Sequence, residues 1–446
     1  MPQKLQQFGS FQNGIAISKK AKGGFYSLLN IDVHSETGSA TCSSAMEKAS
    51  ASLVDALPTC SVTLPDGNSF FGNMTNGKMW RVTPSGGVTL VHTNTNGGNF
   101  GIGYFGGVLY YASATKLGFI TAANATSQSP WTSQNDSWQT FTNTNTHPVK
   151  MVEMNESLFI PNKNLLAAVN SAGGFESASL DLQSQHSITT VIPAGTGLLI
   201  GTYVGASNNQ AGIFWWDTYS PSWTIEDYID EPGVNMFING DNVVYIQAGL
   251  VGNVYYWSGR EAILFKRLRD AENVVTTGIN PYGAANLNGL PLINTVRGIY
   301  SLGRADSSLP IAQVIEYVNS AGQGATPGAL QVVGSQIFSG WGSGSNYGID
   351  KKSVNKATGV IKTCKAVGKM KTLKVSYDSL PTGTNITAQI SKDGAAFAAH
   401  TLVKDDTDEM VFKSSVDISP KKYALAEVTL VPSTTTAPVI DNIELL

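Results

Sequence analysis

The chain has 446 residues, of which 42% are hydrophobic, 9% aromatic and only 14% charged, with a formal net charge of -3. An ordinary soluble domain is about 25% charged, so this one is charge-poor, yet its apolar content suffices for a core and excludes a disordered acidic or basic protein. A coiled coil and a collagen are excluded by composition and by the lack of a Gly-x-y period, and the near-neutral balance gives no general attraction to nucleic acid or membrane.

In chain order, the opening residues Met1, Pro2, Gln3, Lys4 and Leu5 lack the apolar run of a secretion signal. No stretch reaches the roughly 18 apolar residues of a membrane helix, so no membrane insertion is expected. Residues 24–33 read as a strand, expected to close a ring by pairing with its last repeat. Residues 44–57, with Met46, Ala49, Leu53 and Leu57 near one face, read as a short helix. Cys42, Cys60 and Cys364 fit neither zinc nor disulfide spacing and are expected to be buried, inert thiols of a protein made in a reducing cytosol.

From residue 61 onward the pattern is of strands. Short runs rich in Val, Ile, Phe, Tyr and Trp alternate with Asn-Gly, Gly-Gly, Asp-Gly and Ser-Pro turns. A weak repeat, a turn followed by an apolar strand, is anchored on Leu109, Leu158, Leu198, Val243, Leu292 and Ile337. The gaps of about 49, 40, 45, 49 and 45 residues match one four-stranded propeller blade. An earlier partial copy runs from Phe70 and Phe71 to Trp80. Strands such as Ile213-Phe214-Trp215-Trp216 are apolar on consecutive residues, which two-sided burial between neighbouring blades explains. The runner-up architecture is a set of β-sandwich domains.

Near residue 350 the composition changes. Lys351, Lys352, Lys356, Lys362, Lys365, Lys369, Lys371 and Lys374 occur with no acid among them, and further strands follow. The expected fold class is all-β: a six- or seven-bladed β-propeller followed by a small C-terminal β-sandwich. The expected divisions are 1–60 for N-terminal strands and the short helix, 61–350 for the propeller, 351–371 for a lysine-rich linker and 372–446 for the sandwich.

Enzyme signals are poor. The five histidines form no metal-binding pair, and Gly101-Ile102-Gly103-Tyr104-Phe105-Gly106 precedes an aromatic strand rather than opening a helix, so it is no dinucleotide loop. Glu226, Asp227, Asp230 and Glu231 invite a glycosidase reading, which requires two carboxylates across a cleft; a solvated loop between blades is the simpler expectation. Six arginines and a single, incomplete Ser-x-Asp-Gly turn at Ser391 argue against a sialidase. The acidic run from Asp405 to Glu409 lacks the spacing of a calcium loop. No catalytic residue, metal or cofactor is expected. Trp215, Trp216, Tyr219 and Trp223 offer flat apolar faces suited to a sugar ring, although blade cores also want large aromatics. The lysines offer a face for phosphate or an acidic partner, with a solvated linker as the alternative. The partner-binding candidates are therefore Trp215, Trp216, Tyr219, Trp223, Lys351, Lys352, Lys369 and Lys371.

One family picture gathers these features. Phe8-Gly9-Ser10-Phe11-Gln12-Asn13-Gly14, then Gly24-Phe25-Tyr26-Ser27-Leu28-Leu29-Asn30-Ile31-Asp32-Val33, then Thr37-Gly38-Ser39-Ala40 resembles the opening of tailed-bacteriophage virion proteins that continue into a propeller. The nozzle, tail-hub and tail-associated propeller subunits are the members it looks like. The resemblance implies a structural role without catalytic residues, a homo-oligomeric ring in the virion tail assembled in the host cytoplasm, and contacts with other tail proteins. Contact with DNA is implied only if the chain lines the conduit. A receptor- or glycan-binding propeller at the tail tip is the alternative.

Overall fold

The computed structural model describes residues 6–7, 11, 14–16, 24–50, 54–127, 130–131, 135–240, 242–270, 273–274, 278–304, 306–308, 310–368, 370–405, 408–418 and 422–446. Among them the chain winds through seven blades of four antiparallel strands. Blades one to six occupy residues 60–93, 101–140, 152–181, 187–229, 234–267 and 284–317. Blade seven takes Thr326–Val333, Gln336–Ser343 and Asn346–Lys356, and is completed by the distant N-terminal strand Ser44–Lys48. The first strand of each blade packs on the first strand of the next, and Thr326–Val333 packs on Cys60–Thr63, so the ring closes.

The repeat seen in sequence has a structural meaning. All six of its anchors fall in the second strand of a blade, and so do Phe70 and Phe71 of blade one. That strand is covered by neighbouring blades on both faces: Leu198, Leu199 and Ile200 are fully buried in succession. The turns before it carry the left-handed residues that two-residue hairpins require, as at Asn288 and Gly289 with φ of 51° and 93°. Gly101 and Gly103, which mimic a phosphate loop in sequence, lie in the first strand of blade two; a Cβ there would sit 2.5 Å from the Val149 carbonyl and 2.8 Å from the Met151 side chain. Their function is close packing between blades.

The expected helix at 44–57 is a strand. Ser44–Lys48 pairs antiparallel with Asn346–Lys356, Met46 opposite Lys352 and Lys48 opposite Asp350; residues 51–53 lie outside the described residues. Ala, Met, Glu and Lys are good helix formers, but their preference is worth a few tenths of a kcal/mol each. The open edge of blade seven and the burial of Met46 among Leu292, Ile299, Tyr317, Leu330 and Ile337 outweigh it. A strand from the N-terminal region does complete the last blade, but it is Ser44–Lys48, not the segment 24–33.

The segment 24–33 has another task. Phe25–Leu29 lies parallel to Ala312–Tyr317, the outer strand of blade six, and antiparallel to Gly359–Thr363. Blade six thereby runs without a break into a second sheet with Gly359–Thr363, Tyr423–Val431, Asn385–Lys392 and Ala398–His400. A facing sheet contains Ile31–Asp32, Ala40–Cys42, Val439–Leu445, Met370–Ser379, Asp408–Ile418 and Val403–Asp405. Leu373, Val375, Ile440 and Ile443 of one sheet and Ile361, Ile386, Val428 and Leu430 of the other share one core, so the two form a β-sandwich. Both ends of the chain build it. The expected linker at 351–371 is therefore largely strand: 351–356 belong to blade seven and Gly359–Thr363 to the sandwich.

Three polar ties fix the ring. Tyr282, before blade six, shares the one proton of its hydroxyl between the carbonyls of Ile102 and Val149, each at 2.9 Å, and accepts from the Ile102 amide at 2.9 Å. Blades two and three lie across the ring from blade six, so this phenol spans the propeller axis. Asp136, fully buried, accepts from the Tyr111 hydroxyl and from Thr95, with His92 Nε2 at 2.7 Å, joining blades one and two. Asp350, also fully buried, accepts from Trp341 Nε1 at 2.7 Å and from Ser320 in the turn leading to blade seven.

The propeller–sandwich joint holds a buried carboxyl. Glu316, in the outer strand of blade six, is 5% exposed. Burial pushes its carboxyl up to about 7, with Asp32 adding to the effect, while Tyr317, Ser301 and Lys352 act the other way. Nearby, His34 Nε2 lies 2.9 Å from Ser301 Oγ, and burial pulls this imidazole down to about 4 against the opposing effect of Asp32.

Three outcomes follow from these features. Met46→Asp is expected to lower stability by about 3 kcal/mol or more, read as a drop in the urea midpoint, because it puts a charge into the apolar contact that closes the ring. Tyr282→Phe, which keeps the ring and removes the hydroxyl, is expected to cost about 1–3 kcal/mol by leaving backbone groups at the axis without a partner. For Glu316, both folded and unfolded chains hold the proton below the ordinary value of 4.5; above it only the folded chain does, so this group's contribution to stability falls until pH reaches about 7. His34 works in the opposite sense between about 4 and 6.5, so the carboxyl is isolated by comparison with a variant. Glu316→Gln is expected to gain roughly 2–3 kcal/mol relative to the parent as pH rises from 4.5 to 7.5; a constant difference across denaturant titrations at each pH would contradict it.

Candidate functional site

Two concavities on the propeller deserve a chemical reading. The first is a cup of about 560 Å³ formed where the chain enters the first strands of several blades. Leu57, Met74, Leu250 and Val296 give it apolar surface, while His147, Tyr203, Asn235, Asn280 and Asn294 supply polar groups. Its described lining contains no Asp, Glu, Lys or Arg. The His147 ring meets Tyr203 edge-on at 4.8 Å, and burial lowers its pKa, which favours the neutral imidazole. Asn294 spends its amide donors on the Gly328 carbonyl and Ser339 hydroxyl, both at 3.1 Å. These groups suit hydrogen bonding to an uncharged ligand.

The second concavity, of about 590 Å³, lies between blades four and five and includes Trp215. The aromatic run of blade four does not form one platform. In the strand Ala211–Trp216 neighbouring side chains point to opposite faces, so Phe214 and Trp216 pack toward blade three and Trp215 toward blade five. Trp216 is 2% exposed, its indole donating to the Ser220 carbonyl at 2.7 Å, and is part of the core. Tyr219 stands at a hairpin tip, 79% exposed. Trp223, half-buried, lies on the Trp216 side, edge-on to Phe214 at 5.2 Å, and donates to Glu226 at 3.0 Å. Tyr228 donates to the other oxygen of Glu226.

Three of the four carboxylates around 226–231, those of Glu226, Asp227 and Glu231, are separately engaged rather than paired. Asp227 accepts from the amide of Ala262 in blade five at 2.7 Å and from the Tyr228 amide. Glu231 is 8% exposed and accepts from Asn253 and, at 3.3 Å, from the Tyr255 hydroxyl. Asp230 is exposed. Asp406 and Thr407 of the C-terminal acidic run lie outside the described residues.

The lysine run is not a patch. Lys351 reaches the Ser85 carbonyl at 3.2 Å and lies 3.8 Å from Glu47, whereas Lys352 sits 5.9 Å from the centre of the Tyr317 ring. Lys356 donates to the Cys42 carbonyl, Lys362 pairs with Glu427 at 2.8 Å and Lys365 lies over Tyr423 at 4.4 Å. Lys371 is exposed on the sandwich, and Lys369 lies outside the described residues. Alternation along strands and the divide between blade seven and the sandwich scatter the charges and give several of them local partners. The three cysteines are buried thiols, and burial raises that of Cys42 to about 11.

Sequence reasoning missed Tyr282, His147 and Trp257. Tyr282 lies in an Asn280-Pro281-Tyr282-Gly283 turn with no strand alternation to single it out, and Trp257 gains its meaning only from facing blade four.

No protein-family model matches the sequence, and no curated protein does. Solved structures resemble it in shape. A streptogramin B lyase aligns with a TM-score of 0.49 at 12% identity, over 70% of this chain and 98% of that one. A catalytically inactive variant of virginiamycin B lyase from Staphylococcus aureus with quinupristin gives 0.49 at 15%, over 69% and 99%. The Dos1 propeller gives 0.45 at 10%, over 70% and 95%. These proteins are similar to the chain in fold alone; the chain is an all-β protein whose seven-bladed β-propeller is read from its own strand pairing.

Proposed function

We propose that the protein is a structural component of a tailed-bacteriophage virion, a tail or tail-hub subunit that assembles as a symmetric ring of copies and contacts neighbouring tail proteins. One observation carries the reading. Residues 24–33, part of the N-terminal stretch on which the resemblance to phage proteins rests, join propeller to sandwich: Phe25–Leu29 bridges blade six and Gly359–Thr363, and Ile31–Asp32 enters the facing sheet. A subunit that positions neighbours must hold its two modules at a fixed angle. A shared sheet supports that better than a flexible linker, because bending the joint breaks ladder hydrogen bonds.

The surface chemistry agrees with such a role, since Ser, Thr, Asn and Gly loops give broad uncharged contact areas. Tyr282 crosses the propeller axis, so any DNA conduit runs between subunits rather than through the blades. In this reading the chain performs no chemistry of its own, and the carboxylates at 226–231 are structural.

Mass spectrometry of purified virions, with negative-stain images and light scattering of the isolated protein, tests the proposal. The chain is expected in particles at a fixed multiple per tail, and as a ring-forming oligomer or a ring-competent monomer. Absence from particles overturns it. Release of reducing ends from host-envelope polysaccharide, lost in Glu226→Gln, would replace it with an enzymatic role.

A further inference from the structure

We infer that the groove between blades four and five is a binding site for a neutral pyranose chain, one whose sugars carry mainly equatorial hydroxyls. The inference rests on the groove's own chemistry and stands apart from the assignment to a virion.

Three hairpin turns frame the groove: Ala194 to Thr196 of blade four, and Asn242 and Ser258–Gly259 of blade five. Its volume of about 590 Å³ falls within the ~300–1,000 Å³ usual for ligand sites. Trp215 and Trp257 supply aromatic surface, Ile225 and Val244 aliphatic surface, and Thr196 and Asn242 stand exposed at the rim. No charged side chain occurs among its described lining residues.

The Trp215 indole is set before any ligand arrives. Its Nε1 donates to the Ala194 carbonyl at 2.9 Å. Its six-membered ring lies so close over Gly197 that a Cβ there would meet it at 2.7 Å. A hydrogen bond at one edge and a glycine under the ring leave little rotamer freedom, so binding costs little ordering entropy.

That lining selects a ligand class. An ion finds no counter-charge among the described lining residues, and an apolar molecule in so open a groove stays partly in water. At Trp215 an extended peptide finds no free strand edge, because Leu199 pairs with Trp215 and Trp215 with Ile225; on blade five Trp257 pairs with Ala262. A pyranose with equatorial hydroxyls has a flat C–H face for an indole and a belt of hydroxyls for rim amides and hydroxyls. It therefore satisfies both halves of the lining.

The test uses the full chain on a printed array of neutral oligosaccharides, with cellohexaose, a linear β-1,4-linked glucose hexamer, as the solution probe followed by calorimetry and tryptophan fluorescence. Saturable binding to neutral glycans is expected. Trp215→Ala is expected to weaken it roughly tenfold or more. Thr196→Arg, on an exposed turn outside the core, is expected to do the same by filling the mouth, which covers the case in which Trp215→Ala disturbs the blade. Trp223→Ala, on the opposite face of the sheet, is expected to bind as the parent does. The inference is overturned by no binding on the array or to cellohexaose, by selective binding of anionic glycans, or by binding that survives Thr196→Arg or disappears in Trp223→Ala. Virion composition has no bearing on any of these results, so the two proposals fail separately.

Discussion

A ring of blades is stable only if its last sheet finds an outer strand. Without Ser44–Lys48, the strand Asn346–Lys356 would present an unpaired edge, a row of amides and carbonyls open to water or to another chain. With it, Met46 reaches the core between blades six and seven, and Ser353 donates to Glu47 at 3.0 Å. The remainder of the fold follows from this closure. Once residues 44–48 are fixed beside residues 350–356, the chain before them must pass blade six, and the chain after residue 356 leaves blade seven beside it. The two ends are thus delivered to the same place, where they make one sandwich.

This layout explains why the joint is a sheet rather than a tether. The strand Phe25–Leu29 meets the outer edge of blade six at Leu29, opposite Ile315, on one side and pairs along the edge of Gly359–Thr363 on the other. Two edges that would each need protection cover one another. Glu316 and His34 lie in that seam, both displaced in pKa by burial and in opposite directions. The stability of the seam thus depends on two groups whose proton affinities differ from the unfolded chain's, and pH changes act on them against each other.

The functional surface is shaped by the same physics. Consecutive tryptophans on one strand cannot share a face, so Trp215 and Trp216 serve different inter-blade contacts. Lys351, Lys352, Lys362 and Lys365, near one another in sequence, are distributed by the same alternation among Glu47, Tyr317, Glu427 and Tyr423. A linear cluster of charge or aromaticity in a β protein is therefore a poor guide to a patch.

What the sequence by itself determined is local: strand character, turn positions and the spacing of blades. The anchors from Leu109 to Ile337 all mark second strands because a twice-covered strand must be apolar on both faces, and that pattern is written in consecutive residues. Strands at Met370–Ser379, Asn385–Lys392 and Val439–Leu445 were readable for the same reason, as was the hairpin at Asp393 and Gly394, whose φ values of 53° and 83° need those residue types. Only the tertiary structure decided which strands far apart in the chain share a sheet. Residues 44–48 have helix-forming composition, and Phe25–Leu29 fits equally well at any open edge. Their places were set by burial and edge pairing across some three hundred residues, interactions larger than any local preference and without a trace in local spacing.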